Sequence, residues 1–329
     1  MHRRKDCQAR LRLPINLALL LLVLSVMAGC GQSTIGFTGP APLPPVEESL
    51  NPVIPASIST FHLYSGSLPT PPPTLTANEA FLLNPATNTI YLASNADEEV
   101  AMASTTKIMT AYVALTFGQL DQPIKVGPDA VGATLQKQYG ASVAGLHAGD
   151  VLSLRDLLYG LLLPSGDDAA IAIADGIAGS QQNYVALMNL EAGLLGLRHT
   201  HFSDVHGLDA PNHHTTARDL ARLASVAMQN PTFAAIVGTP SYTVPSAADH
   251  ASYSWQTTNN LLSPLAYPGI IGIKTGFTGE AGGCLVFAAK RAYGELIGVL
   301  LGEQVENNRF TDAVALLTWG FSIEAQQSG

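Results

Sequence analysis

Glu79-Ala80-Phe81-Leu82-Leu83-Asn84-Pro85-Ala86-Thr87-Asn88-Thr89-Ile90-Tyr91-Leu92-Ala93-Ser94 is the stretch on which the reading of the fold turns. Two strand-like runs, 79–83 and 89–94, flank a turn-forming 84–88, which is a hairpin signal. Outward from it the period changes. A helix is expected to open at Ser104 and run through Ile108, Met109, Tyr112 and Leu115. Ser153 and Asp156 form a capping box for a Leu-rich helix that stops at Pro164. Further helices are expected over 167–177, 184–195 and 216–228. The β pattern then returns around 270–275, 284–290 and 295–301, and a helix over 307–321 follows. Strands at both ends with helices between them predict an α+β fold, an antiparallel β-sheet with flanking helices and an inserted helical subdomain.

Upstream of the hairpin the chain changes character twice. Apolar residues make up 47% of the 329, enough for a packed core, whereas charged residues are only 12%, about half the ~25% of ordinary soluble domains. The net charge is −9, yet Arg3, Arg4, Lys5, Arg10 and Arg12 all lie in the first twelve positions. The remainder carries 11 basic against 24 acidic residues, or −13. So acidic a body binds phosphate backbones poorly, and no nucleic-acid partner is expected. The basic start leads into the almost wholly apolar residues 13–28, a run of sixteen where a bilayer span needs about 20. That is the pattern of an export signal. It ends Met27-Ala28-Gly29-Cys30, which resembles the lipobox of bacterial lipoproteins; the resemblance implies acylation of Cys30. Cys7 would leave with the signal and Cys284 alone cannot form an intramolecular disulfide. Residues 31–76 hold ten of the 21 prolines, a composition that stays extended. The expected organisation is a lipoprotein signal peptide over 1–30, a proline-rich tether over 31–74, a folded domain over 75–322 and a tail over 323–329. The expected location is the outer face of the cytoplasmic membrane or the cell envelope, with membrane contact through the lipid anchor.

Three short motifs carry chemistry. In Ser104-Thr105-Thr106-Lys107 the first and last residues share one helical face, so an amine can take the proton that makes a serine hydroxyl a nucleophile. Ser165-Gly166-Asp167 follows Pro164 at the mouth of the next helix. Lys274-Thr275-Gly276 ends an apolar strand, where a fixed positive charge and a hydroxyl suit a substrate carboxylate and the glycine admits a substrate backbone. Each motif alone is weak. Their order, with 61 residues from Ser104 to Ser165 and 109 from Ser165 to Lys274, resembles the S-x-x-K, S-D-N, K-T-G series of penicillin-binding proteins and class A β-lactamases.

With the flanks 103–110, 164–170, 206–209 and 272–278 and the ending Leu317-Thr318-Trp319-Gly320-Phe321, the chain resembles the low-molecular-mass D-alanyl-D-alanine carboxypeptidases. The resemblance implies a β-lactamase/transpeptidase-like fold and a penicillin-sensitive serine enzyme that trims peptidoglycan stem peptides without a cofactor or metal. It makes Ser104 the nucleophile, Lys107 its base and Ser165 the proton donor to the leaving D-alanine. Lys274 and Thr275 would hold the terminal carboxylate, with Gly276 and Asp167 lining the substrate and the backbone N–H groups of Ser104 and Phe277 forming the oxyanion hole. β-Lactam antibiotics would acylate the same serine.

Two departures stand out. Asp167 occupies a place that is usually asparagine; a carboxylate only accepts hydrogen bonds, and its charge favours a protonated Lys107. Many relatives also carry a C-terminal β-rich domain and an amphipathic membrane helix, and this sequence stops eight residues after Phe321. Alternative readings are a D,D-endopeptidase acting on cross-links, and a catalytically impaired peptidoglycan- or penicillin-binding lipoprotein. A β-lactamase would need a deacylating glutamate, and Glu191 is the only obvious candidate. His199, His201, His206, His213 and His214 match a loop of the family rather than a zinc site, Cys284 reads as a buried thiol without chemistry, and Trp319 as a core anchor.

Overall fold

The computed structural model describes residues 60–263 and 266–327; the expected export signal, Cys30 and the expected tether up to residue 59 lie outside them. The chain enters through a short strand β1 (His62–Leu63), then the expected hairpin, β2 (Glu79–Asn84) and β3 (Thr89–Ser94). The helical part follows: α1 (Lys107–Phe117), β4 (Pro123–Lys125), α2 (Gly132–Tyr139), β5 (Val151–Ser153), α3 (Leu154–Leu162), α4 (Asp167–Ala178), α5 (Gln181–Leu194), α6 (Ala217–Ala227) and α7 (Pro231–Val237). A small ribbon of β6 (Ser241–Val244) and β7 (Tyr253–Gln256) leads to three long strands and a helix: β8 (Ile270–Thr278), β9 (Gly282–Arg291), β10 (Gly294–Glu303) and α8 (Asn308–Gln327).

The main sheet runs β1-β3-β2-β10-β9-β8, antiparallel throughout except where β1 joins β3. The hairpin therefore does not stand alone: β2 pairs with β10, so an early strand and the last strand of the sequence are neighbours in the middle of one sheet. Successive strand residues point to opposite faces, and here both faces are covered. Leu82, Leu285, Phe287, Leu296 and Leu300 pack with Leu316, Leu317, Trp319 and Phe321 of α8. Phe81, Leu83, Val286, Ile297 and Val299 face the helical part and join its larger core. Because both faces are buried, the strands read as continuous apolar runs rather than alternating ones.

The capping box of α3 forms as read, Ser153 accepting from the Asp156 N–H, and Thr216 caps α6 in the same way by accepting from the Asp219 N–H. Trp319 is buried, and its indole donates to the Thr70 carbonyl at 3.0 Å, so residues within the segment read as tether lie along the domain. One expectation needs correcting. The helix does not open at Ser104; residues Ala103–Thr106 form a 3₁₀ turn and α1 begins at Lys107. In that tighter winding residues i and i+3 eclipse, which aligns Ser104 with Lys107 more directly than an α-turn would.

Candidate active site

The 3₁₀ turn, the mouth of α4 and the end of β8 meet at one cleft. Ser104 is half-buried, and Lys107 behind it is fully buried. Lys107 Nζ donates to Ser104 Oγ at 2.8 Å and to the His206 carbonyl at 2.6 Å, and lies 2.6 Å from Asp167 Oδ1. An ammonium has three hydrogens to donate, and here three acceptors surround it. Asp167 is thus brought into direct contact with Lys107.

Ser165 precedes α4 with φ +66°, a left-handed conformation that non-glycine residues rarely adopt. It offers Oγ to Lys274 Nζ at 2.9 Å, and Lys274 also donates to the Thr275 carbonyl at 2.8 Å. Lys274 is buried without a carboxylate in contact. Burial first, then the nearby Lys107 ammonium and the Arg309 guanidinium, hold its pKa well below the ordinary lysine value, against the pull of Asp167. The Thr275 hydroxyl shares a 2.5 Å hydrogen bond with Thr258.

Gly276 explains how closely β8 approaches the nucleophile. A Cβ there would stand 3.0 Å from both the Ser104 nitrogen and the Ala103 Cβ, so only glycine lets the strand lie against the 3₁₀ turn unhindered. Phe277 follows on the strand with its ring exposed to solvent, and its backbone continues the edge that borders Ser104. Lys107 is thus in direct contact with Ser104 and Asp167, and Lys274 with Ser165, while Thr275, Gly276 and Phe277 follow Lys274 on its strand. Cys30 is outside the described residues.

Sequence reasoning missed four contributors. Arg309, buried on α8, donates to the Gly276 carbonyl at 2.9 Å and to Glu306 at 2.9 Å, bracing the K-T-G strand from behind. Its standing as the one cation on α8 was the available signal. Asp168 accepts from the N–H groups of Ala144, Gly145, Leu146 and Ala169, which pins residues 144–146 over the start of α4. Thr258 acts from a position that no local pattern marks, and His206, although inside the 206–209 motif, contributes through its backbone carbonyl, which no side-chain pattern reveals. Burial pushes the Cys284 thiol up to about 12, so no thiolate forms at neutral pH. Among the described residues no three His, Cys, Asp or Glu side chains are grouped to hold a metal; His199 pairs with Glu99 and His201 with the Asn212 carbonyl. Glu191 is buried on α5.

Comparison with known proteins agrees with this arrangement. The profile of the family described as D-alanyl-D-alanine carboxypeptidase matches residues 67–305. A D-alanyl-D-alanine carboxypeptidase of Streptomyces sp. (strain K15) is 39% identical over 268 residues, covering 76% of this chain and 89% of that one. The D-alanyl-D-alanine carboxypeptidase DacC of Escherichia coli (strain K12) is 38% identical over 255 residues, 76% of this chain and 62% of its own length. The crystal structure of the Streptomyces K15 DD-transpeptidase superposes with a TM-score of 0.72 at 37% identity, covering 77% of this chain and 100% of that one.

Proposed function

This chain belongs to the D-alanyl-D-alanine carboxypeptidase family, and from that premise we propose that it removes the terminal D-alanine of peptidoglycan stem peptides through an acyl-enzyme on Ser104. The observation that carries the reading is the pairing of two lysine–serine contacts at one cleft, Lys107 with Ser104 and Lys274 with Ser165. Lys107 in its amine form takes the Ser104 proton as Oγ attacks the penultimate D-alanine carbonyl. The developing oxyanion is met by the N–H groups of Ser104 and Phe277. Ser165 passes a proton to the departing D-alanine nitrogen, with Lys274 beside its hydroxyl. Lys274 and Thr275 hold the terminal carboxylate, which fixes the cut at the end of the peptide. Water then releases the shortened peptide and restores Ser104.

A β-lactam enters by the same attack. Incubation with a penicillin is expected to add one penicilloyl group to Ser104, read by intact mass and peptide mapping, and Ser104→Ala is expected to remove it. Labelling that persists in that variant overturns the reading.

The proposed setting is the cell envelope, with Cys30 lipidated and residues 31–59 as part of the tether. No helix among the described residues is long and apolar enough to cross a membrane, and a lipid on Cys30 would supply the attachment. Membrane fractionation of Cys30→Ala tests this: the variant should be released or remain an unprocessed precursor. An unmodified N-terminus beyond residue 30 contradicts it.

A further inference from the structure

We infer that His213 is a positioning residue for the nucleophile, acting through the Thr106 hydroxyl to fix the turn that carries Ser104. Ala103, the residue before Ser104, has φ +47°, a conformation that non-glycine side chains avoid and that persists only where its surroundings hold it. Thr106 Oγ1 donates to the Ala103 carbonyl at 2.8 Å, which ties the two ends of the 3₁₀ turn together. That hydrogen is then spent, so the Thr106 oxygen acts as acceptor toward His213 Nε2, 2.7 Å away. The other side of the ring sets the tautomer. Ser203 N–H donates to His213 Nδ1 at 3.0 Å, so Nδ1 is bare and Nε2 carries the hydrogen. The result is a relay with one direction: Ser203 N–H to Nδ1, Nε2–H to Thr106, Thr106 O–H to Ala103.

The relay is anchored to both segments it joins. Val100 and Thr215 exchange backbone hydrogen bonds of 2.9 and 3.0 Å, holding the His213 segment beside the approach to Ser104. The Phe202 ring meets the imidazole edge-on at 6.0 Å. Gly207 closes the same place, since a Cβ there would collide with the Ala103 carbonyl.

The groups facing His213 are Asp204, with Oδ2 at 3.7 Å from Nδ1, and the imidazoles of His206, His201 and His214. Burial holds the ring below the usual histidine range, against the attraction of Asp204. The neutral ring therefore prevails at neutral pH. A proton on Nδ1 opposes the Ser203 N–H and is drawn toward Asp204, which turns Nε2 away from Thr106.

The inference rests on Ser104 being the nucleophile, and the test separates the two. The rate of Ser104 acylation by a fluorescent penicillin is measured on the full chain between about pH 5 and pH 8. His213→Asn keeps an acceptor for Ser203 but is too short to reach Thr106; His213→Gln offers Thr106 an N–H that does not titrate. The Asn variant is expected to acylate at least about tenfold more slowly at neutral pH, the Gln variant within about threefold of the parent. On the acid side the parent should lose rate more steeply than the Gln variant. An Asn variant as fast as the parent, or a Gln variant with the parent's acid profile, overturns the inference. Should the Asn variant fail to fold by circular dichroism, the Gln profile and Thr106→Val decide: Thr106→Val must slow acylation. If the parent itself takes no penicillin on Ser104, the proposed function falls and the inference with it.

Discussion

Lys107 and Lys274 are both fully buried at the same cleft, yet the protein holds them in opposite ways. Lys107 has a carboxylate in contact and all three of its donors engaged. Lys274 has only neutral oxygens, Ser165 Oγ and the Thr275 carbonyl, and its nearest cations make its charge less welcome still. Burying an unpaired charge costs several kcal/mol, and a direct counter-ion offsets much of that. The pair with a counter-ion keeps its buried charge balanced within the free enzyme. The lone lysine is costly in the free enzyme, and in the proposed reaction a substrate carboxylate would complete it. A site can thus hold a base and an anion receptor of the same residue type by giving a counter-ion to only one.

The largest expected effect puts this contrast to the test with one substitution made twice. Lys107→Met leaves the Asp167 carboxylate buried and unpaired, which should destabilise the fold by about 3–5 kcal/mol at neutral pH. Losing the base should also slow acylation by about 10²–10⁴-fold. A lone buried Asp167 binds protons more readily in the fold than in the unfolded chain, so the deficit should shrink as pH falls. Lys274→Met removes a charge that had no acid in contact, so its melting temperature should hold or rise while activity falls. Equal destabilisation by both variants would break the contrast.

A second effect, of intermediate size, follows from the lowered pKa of Lys274. Its proton leaves at a pH below the ordinary lysine value of 10.5, and the charge that receives the substrate carboxylate goes with it. We expect an alkaline limb in kcat/KM that appears mainly as a rise in KM. Stability should move the other way. Through the same window the unfolded chain binds more protons than the fold, so unfolding free energy increases with pH. A pH series of KM and melting temperature on one preparation checks both signs, and Lys274→Met should flatten the stability trend.

Much of this cleft was legible because its chemistry sits in short motifs whose spacing is constrained by the fold. The hairpin and the three late strands were legible as apolar runs. That β2 pairs with β10 was not readable from local pattern, because Leu83 and Ile297 are partners in the sheet but stand 214 positions apart in sequence. The 3₁₀ turn at Ser104 was hidden for another reason. Its residues have no cap or breaker to mark it, and the turn is imposed by Ala103 and by hydrogen bonds from Thr105 and Thr106 to carbonyls three residues back. Arg309 and His213 escaped because each acts on a backbone or hydroxyl group far away in sequence.

The smallest effect concerns Asp167, and it decides how much of the contrast depends on one oxygen's charge. Asp167→Asn leaves an acceptor within reach of Lys107 but removes the counter-ion, making Lys107 more like Lys274. The ammonium is then less favoured, so the amine form that acts as base is available at lower pH. The acid limb of kcat/KM on a D-Ala-D-Ala peptide should move toward lower pH, as expected when an opposite charge in contact is removed. Activity at neutral pH should hold or rise. The amide also gains an N–H that a substrate carbonyl can accept, which favours the same direction. Stability should fall slightly, since Lys107 is now buried without a countercharge. Measured together, a shifted acid limb and a modest loss in melting temperature mean that the aspartate trades readiness of the base for a quieter buried charge. An unmoved limb would show that the Asp167 charge does not govern Lys107. A loss of activity at every pH would give Asp167 a catalytic role of its own and end the likeness between the two lysines.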